Sequence, residues 1–303
     1  MIHYLNHAKI DKVLWDRTIT DAPNGTLCAY SWFLDIVSPG WDGLVGEGYK
    51  DVFPITKANK YFTNYLRQPL FTQQLGLIST STTGLLDCSQ YISKCIEHFK
   101  FMEINLRYDN AVQGIDVELS KNINLRLDLS NSHDAIFKAY SENHKRNIKK
   151  SRGNDLVLNR EGHINDIIKL FDENKRSSLS DFNESHYNLL KQIVNVAQRK
   201  IKVSIYTVAD EHGLPCAGAV FLVEPRAALF LFSGANQKGR DLRAMHYLID
   251  NFINDHCQHI GILDFEGSND ENLARFYRGF GSVESVYLHI SYNNLPIPFR
   301  WFK

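Results

Sequence analysis

Asp264-Phe-Glu-Gly-Ser-Asn-Asp-Glu-Asn-Leu-Ala-Arg-Phe-Tyr-Arg-Gly-Phe-Gly281 is the stretch whose reading decides the fold. Just before it, Ile260-Gly-Ile-Leu-Asp264-Phe is a short apolar run of the kind that forms a buried strand. Ser268 with Glu271 three residues on has the capping-box spacing and predicts a helix start. The helix would put Leu273, Phe276 and Tyr277 on one face, with Arg275 and Arg278 near its negative end. Gly279 stands where a left-handed C′ residue closes a helix. Two readings follow. The unit is a well-capped surface helix, or it is the edge of a site, because a strand ending in Asp264-Phe-Glu266 delivers carboxylates to the open end of a sheet.

The residues around this unit set its context. The chain has 303 residues, enough for one large or two ordinary domains, and its 44% apolar and 22% charged content is that of a globular protein with a sizeable core. Lys+Arg and Asp+Glu both number 34, so no overall field draws it to nucleic acid or membrane, and any polyanion contact must come from a local patch. The five cysteines form no Cys-x-x-Cys pair and are odd in number, which points to reduced thiols and a cytoplasmic address. The first residues lack the basic-then-apolar pattern of a signal peptide, and no apolar run is long enough to span a membrane.

The second half of the chain reads as a strand at 122–130, a helix from Ser132 to Tyr140, and then a basic helix, His144-Lys-Arg-Asn-Ile-Lys-Lys-Ser-Arg152. Two more helices are expected at 164–175 and 186–198, followed by three consecutive strands at 203–209, 217–223 and 227–233. Ser233-Gly-Ala-Asn-Gln-Lys-Gly-Arg-Asp-Leu-Arg then runs into a helix with Leu242, Met245, Leu248, Ile249 and Phe252 on one face. Strand, glycine-bearing turn and helix is a geometry that can hold a phosphate on free N–H groups and the helix dipole, although a plain strand-to-helix turn is equally compatible. The clustered cations at 145–152 are either a solvated face or an anion site.

The first half offers an opening helix at 11–16, a helix within 25–37, hairpin-like strands at 41–45 and 51–56 around Gly46-Glu-Gly, and a strand at 75–79. A helix at 85–100 and a strand at 101–106 complete it. Pro54 suggests an edge or bulged position. There is no glycine-rich phosphate turn here. His256-Cys-Gln-His259 has no partnered cluster and reads as a helix end, not a metal site, and no nucleophile elbow is present.

Asn269, Asn272, Ala274, Tyr277 and Phe280 match the "N…A…(F/L)Y…GF" signature near the end of GNAT-type acyltransferase domains. The whole block resembles the closing segment of the Fem-type peptidoglycan aminoacyltransferases, which are built from two GNAT-like domains in one chain. Weaker similarity extends over residues 125–289. The resemblance implies a mixed α/β (α+β-like) chain with two GNAT-like (acyl-CoA N-acyltransferase-like) domains in tandem: a degenerate one at 1–120 and a second at 121–303 that carries the donor site. The long helical arm of several Fem-type enzymes has no room here. The implied activity is transfer of an acyl or aminoacyl group from acyl-CoA, acyl carrier protein or aminoacyl-tRNA to an amine. A non-catalytic module of the same fold that binds a phosphate-bearing ligand is the alternative.

The resemblance also distributes roles. Tyr277 matches the tyrosine that protonates the leaving group in many GNAT enzymes; Asp264 and Glu266, from their own place at the end of a strand, are the candidate bases or amine-orienting groups, or else partners of the helix dipole. Gln237, Lys238, Gly239 and Arg240 lie at the counterpart of the GNAT pyrophosphate loop, with Asn236 and Asp241 departing from its pattern. Arg146 and Lys150 fall in a run similar to a basic run of the Fem-type enzymes and are candidate phosphate ligands. Gly267, Ser268, Asn269, Phe71 and Gln73 are candidate cleft-lining residues. No metal and no tightly bound cofactor is expected, with coenzyme A or another activated acyl donor as co-substrate. The acceptor would be a small molecule or a cell-wall precursor, and tRNA is a possible partner.

Overall fold

The computed structural model describes residues 1–60, 63–81, 84–175, 182–266 and 269–296. The chain folds into two compact units, residues 1–122 together with 286–303, and residues 123–285. From Val286 onward the last strand therefore belongs to the first unit although it lies at the far end of the chain.

In the first unit the elements are β1 (His3–Leu5), α1 (Lys12–Asp21), α2 (Ser31–Val37), β2 (Asp42–Val45), β3 (Asp51–Ile55), β4 (Lys57–Lys60), β5 (Thr63–Arg67), β6 (Ile78–Ser79), β7 (Leu86–Asp87), α3 (Ser89–His98), β8 (Phe101–Asn105) and β9 (Asn110–Ala111). One sheet has the order β1-β2-β3-β6. Pro54 pairs with Gly43 of β2, and β3 meets β6 only at Asp51 and Val52, so the proline lies past that ladder and costs it no hydrogen bond. The strands β4 and β5 form a hairpin that the sequence reading did not anticipate, and β5 runs parallel to β8. The core beneath holds Phe53, Leu66, Ile92, Met102 and Leu106, all buried.

The second unit contains β10 (Glu118–Asp128, from Ile123 onward), α4 (His133–Lys138), α5 (Glu142–Arg152), β11 (Val157–Asn159), α6 (Ile164–Lys175), α7 (Glu184–Ala197), β12 (Lys202–Ala209), β13 (Pro215–Val223), β14 (Ala227–Ala235), α8 (Gln237–Asp241), α9 (Ala244–His256), β15 (Ile262–Asp264) and α10 (Glu271–Arg278). Its strand order is β11-β12-β13-β14-β15-β10. The run β11 to β14 is an antiparallel meander, and β15 then joins β14 in parallel. That parallel pairing spans only Ala227 to Leu229, whereas β14 continues to Ala235 against β13. Past Asp264 the chain stays with its other neighbour, β10, to which β15 is already paired, the Phe265 amide donating to the Leu125 carbonyl. The two parallel strands thus part where β15 ends. On one face, α4, α5, α9 and α10 cover Leu125, Leu127, Phe221 and Leu263, with Phe252 of α9 packed among them. On the other, α6 lies unusually close: a Cβ on Gly234 would come 2.5 Å from the Phe171 amide nitrogen.

The final strand, β16 (Val283–Asn293), is antiparallel to β8, with His289 opposite Asn105. The His289 ring sits 2.8 Å from both Asn105 Oδ1 and Glu103 Oε2. No described helix is long and apolar enough to cross a membrane.

Candidate functional site

The segment leaving β15 is held by its own side chains. Asp264 accepts the Glu266 amide (2.8 Å) and the Asn124 side-chain amide (3.2 Å), and Arg126 Nε lies 3.8 Å away. A carboxylate so engaged shapes the turn, leaving less of it for proton transfer. Glu266 has a left-handed backbone, φ 49°, a strained setting for a residue with a side chain, and it is half-buried at the point where β14 and β15 part. Gly267 and Ser268 lie outside the described residues. Asn269 is exposed, with its side-chain oxygen 3.4 Å from the Ile123 amide.

The helix cap differs from expectation: Asp270, not Ser268, caps α10, accepting the Leu273 amide at 2.9 Å. An aspartate immediately before the first helical residue also adds negative charge at the positive end of the helix. The inward face differs too. Leu273 is 41% exposed and Phe276 half-buried, while Ala274, Tyr277 and Phe280 form the core-facing stripe. Tyr277 is 5% exposed, stacked on Phe265 with ring centroids 4.5 Å apart and 16° between planes, and edge-on to Phe230. Burial first, and the Glu266 carboxylate second, push its phenol well above the ordinary range, so the hydroxyl stays protonated.

The end of α10 also departs from the expected form. Gly279 is helical at φ −60°, and Gly281, at φ 82°, is the left-handed residue. Gly279 is needed for a different reason: the His144 ring lies flat on it, and a Cβ there would come 2.0 Å from Cε1. Phe280 and His246 hold that ring from other sides, at centroid distances of 4.6 Å each. Gly279→Ala should therefore destabilise the protein by about 2 kcal/mol, the cost of an overpacked core. Chemical denaturation would show a lower midpoint at constant slope, and an unchanged midpoint would mean the ring yields freely.

The expected phosphate turn is internally occupied. The Gly239 amide donates to Asn236 Oδ1 at 2.9 Å, and Gly239 packs so tightly that a Cβ would come 2.1 Å from the Cys216 carbonyl oxygen. Lys238 is paired with Asp210 (2.7 Å) and Glu211 (3.0 Å), and that ammonium holds the Asp210 carboxyl down to about 2. Arg240 bonds Gln237 Oε1 (2.8 Å) and the Ala235 carbonyl (3.1 Å), and Gln237 donates to Asp241. The expected helix is broken at Arg243, which is left-handed at φ 61° and separates α8 from α9.

Arg146 and Lys150 are both exposed on α5. Arg146 joins Lys145, Lys149 and Arg152 along an open groove of about 480 Å³, and Lys150 is outside it. In the first unit, Phe71 has φ 59°, and Gln73 lies in a loop stitched to the end of β8, its carbonyl accepting the Asn105 side-chain amide at 2.9 Å. Among the described residues no three His, Cys, Asp or Glu side chains converge on a metal position. His256 is a buried helix end with its Nδ1 3.0 Å from the Phe252 carbonyl oxygen.

A second pocket, about 520 Å³, opens between α5, α9 and α10, and His144, Asn147, Arg243, His246 and Arg275 are on its wall. Sequence reading assigned these residues no site, because they come from three helices and share no motif. Burial, with His144 and Arg243 adding to it, pushes His246 down to about 3. A histidine neutral in the folded state and titrating near 6.5 when unfolded supports stability above that value and withdraws it as the pH falls. Between pH 7 and 5, His246 alone should cost about 2 kcal/mol of stability. Unfolding curves at the two pH values check this, and His246→Gln should flatten the slope.

No family model and no curated protein sequence matches the chain. Solved structures do. FemX superposes with a TM-score of 0.70 at 11% identity, covering 99% of both chains. The chain has a tandem GNAT-like fold of the Fem type. A tandem GNAT protein from the clavulanic acid biosynthesis pathway gives a TM-score of 0.54 at 10% identity over 98% of this chain and 99% of that one. L-PGS from Bacillus licheniformis gives 0.53 at 10% identity over 95% and 94%. Helix, meander, parallel fifth strand and closing helix in this Fem-type fold are the elements described above for the second unit.

Proposed function

We propose that the protein transfers an acyl or aminoacyl group from an activated donor to an amine. The observation that carries the reading is the parting of β14 and β15 with Glu266 strained at the point of divergence. An attacking amine must lose a proton as the new C–N bond forms, and the departing thiolate or ribose oxygen must gain one. Glu266 takes the proton of the attacking amine in this reading and returns it to the departing thiolate or ribose oxygen, and Asp264 fixes the turn that presents it. Tyr277, the proton donor the resemblance implies, supports Phe265 from below. The donor is acyl-CoA, acyl carrier protein or aminoacyl-tRNA, and the acceptor a small amine or cell-wall precursor, in keeping with the relatives of similar fold.

The test is product detection by mass spectrometry with the three donors supplied in parallel against a pool of primary amines. New amide product with one donor supports the reading. Binding of a donor without product from any of them would favour a non-catalytic module of the same fold.

A further inference from the structure

The open groove of about 480 Å³ beside α5 lies wholly within residues 123–285. Phe137 of α4 and Ile148 of α5 are its apolar part, and Lys145, Arg146, Lys149 and Arg152 stand along it with a single acid, Glu142. Two of these cations have carboxylates of their own: Lys145 meets Glu142 at 2.9 Å, and Arg152 meets Asp250 at 2.8 Å. Arg146, which donates to Asn143 Oδ1 at 2.9 Å, meets no carboxylate among the described residues, and neither do Lys149 and Lys150. All three are exposed. A chain of zero net charge has thus gathered five cations between Lys145 and Arg152. The negative end of α5 accounts for Lys149, Lys150 and Arg152, which sit in its last turn. It accounts neither for Arg146 nor for the apolar groove beside it.

What else the surface offers separates the anionic partners it could meet. A membrane contact needs protruding apolar side chains around the cations, and none of the large exposed apolar residues described is on α4 or α5. A single nucleic-acid strand needs a ring free to stack on. The Phe137 ring is already engaged, with Tyr140 at 5.0 Å, His133 at 5.9 Å and the Arg152 guanidinium over it at 5.9 Å. A duplex backbone has no use for an apolar groove. An amphipathic helix bearing carboxylates uses both features. Its apolar stripe enters the groove, and carboxylates one turn apart meet cations one turn apart, as Lys145 and Lys149, or Arg146 and Lys150, are.

We propose that this groove docks the acidic helix of an acyl carrier protein, whose apolar side chains lie against Phe137 and whose carboxylates meet Arg146, Lys149 and Lys150. Of the three donors in the transfer reading, only this one is a protein and has a helix to present. The choice of donor rests on that reading, whereas the docking requires no turnover. Asn147 lies 3.2 Å from His246, and Asn154 donates to the Leu242 carbonyl at 3.2 Å, which fastens α5 to the first part of α9. A carrier on the outer side of α5 therefore rests on the helical layer that covers β15.

Isothermal titration of the full chain with acyl carrier protein, bearing its phosphopantetheine arm but no acyl group, tests the docking, with tRNA titrated in parallel. Saturable binding of the carrier is expected at low ionic strength, weakening as salt is raised. Lys149→Glu, at an exposed position where folding should survive, is expected to weaken it roughly 10-fold or more, and Arg146→Glu added to it roughly 100-fold. Arg199→Glu, an equal change of charge at an exposed position after α7, should bind like the parent. A carrier with a helix glutamate replaced by lysine should recover part of the affinity for Lys149→Glu. Absence of saturable carrier binding overturns the proposal. So does a Lys149→Glu variant that binds like the parent, or an Arg199→Glu variant that loses as much. Binding of tRNA through these same residues, tighter than that of the carrier, would make the surface a nucleic-acid one and overturn it as well. Amide product from another donor without carrier binding would end the docking and leave the transfer reading, and carrier binding without product from any donor would do the reverse.

Discussion

Glu266→Gln is expected to lower turnover at least ~100-fold while leaving the folded protein intact. The substitution keeps the size of the side chain and its capacity to accept a hydrogen bond, and it removes the one property a base needs. The strained backbone at φ 49° stays as it was, since glutamine bears the same Cβ. The loss should fall on kcat and kcat/KM alike, because the proton moves only as the amine attacks. An amine already deprotonated at high pH should recover part of the loss in the variant. Unchanged turnover in Glu266→Gln would remove Glu266 from the chemistry and leave the strain at this position without a catalytic account.

The largest effect on stability is expected at Tyr277. Its ring fills the space between Phe265 and Phe230, and Tyr277→Ala should cost about 4 kcal/mol, in the range for deleting a buried aromatic side chain. Tyr277→Phe keeps the stack and should stay within about 1 kcal/mol of the parent. Turnover per folded molecule should then change only a few-fold, since the ring and not its proton supports Phe265 and, through it, Glu266. A fall of ~100-fold in the phenylalanine variant, with stability retained, would instead restore Tyr277 as the donor of the leaving-group proton.

The architecture was legible from a few particular places. The apolar runs at 217–223 and 227–233 and the capped helix after Asp264 are long or strongly punctuated, so their type could be read directly. The hairpin β4–β5 was not, because Lys57-Ala-Asn-Lys60 and Thr63-Asn-Tyr-Leu-Arg67 are largely polar and offer little alternation to a reader. Ser268, Asn269 and Asp270 are three successive residues that can each cap a helix, and only the course of the backbone selects Asp270. At the other end, Gly279 and Gly281 compete for the same role. The His144 ring needs the first to be bare, while the turn needs the second to be left-handed. Charge was least readable. Lys238 meets Asp210 of the turn between β12 and β13, which no local spacing reveals, so a cation that looks available in sequence is already paired.

The return of β16 to the first unit has a consequence for the order of events during synthesis. Residues 123–285 emerge as one continuous piece and can pair β11 to β15 with β10 while the chain is still being made. The earlier residues must wait, because β8 acquires its antiparallel neighbour only when His289 reaches Asn105 and Glu103. Until then β8 presents an open edge, the kind of surface that recruits strands from other chains. The first part to be translated is thus the last to be finished, and a nascent chain stalled short of Val286 would carry β8 with that edge open.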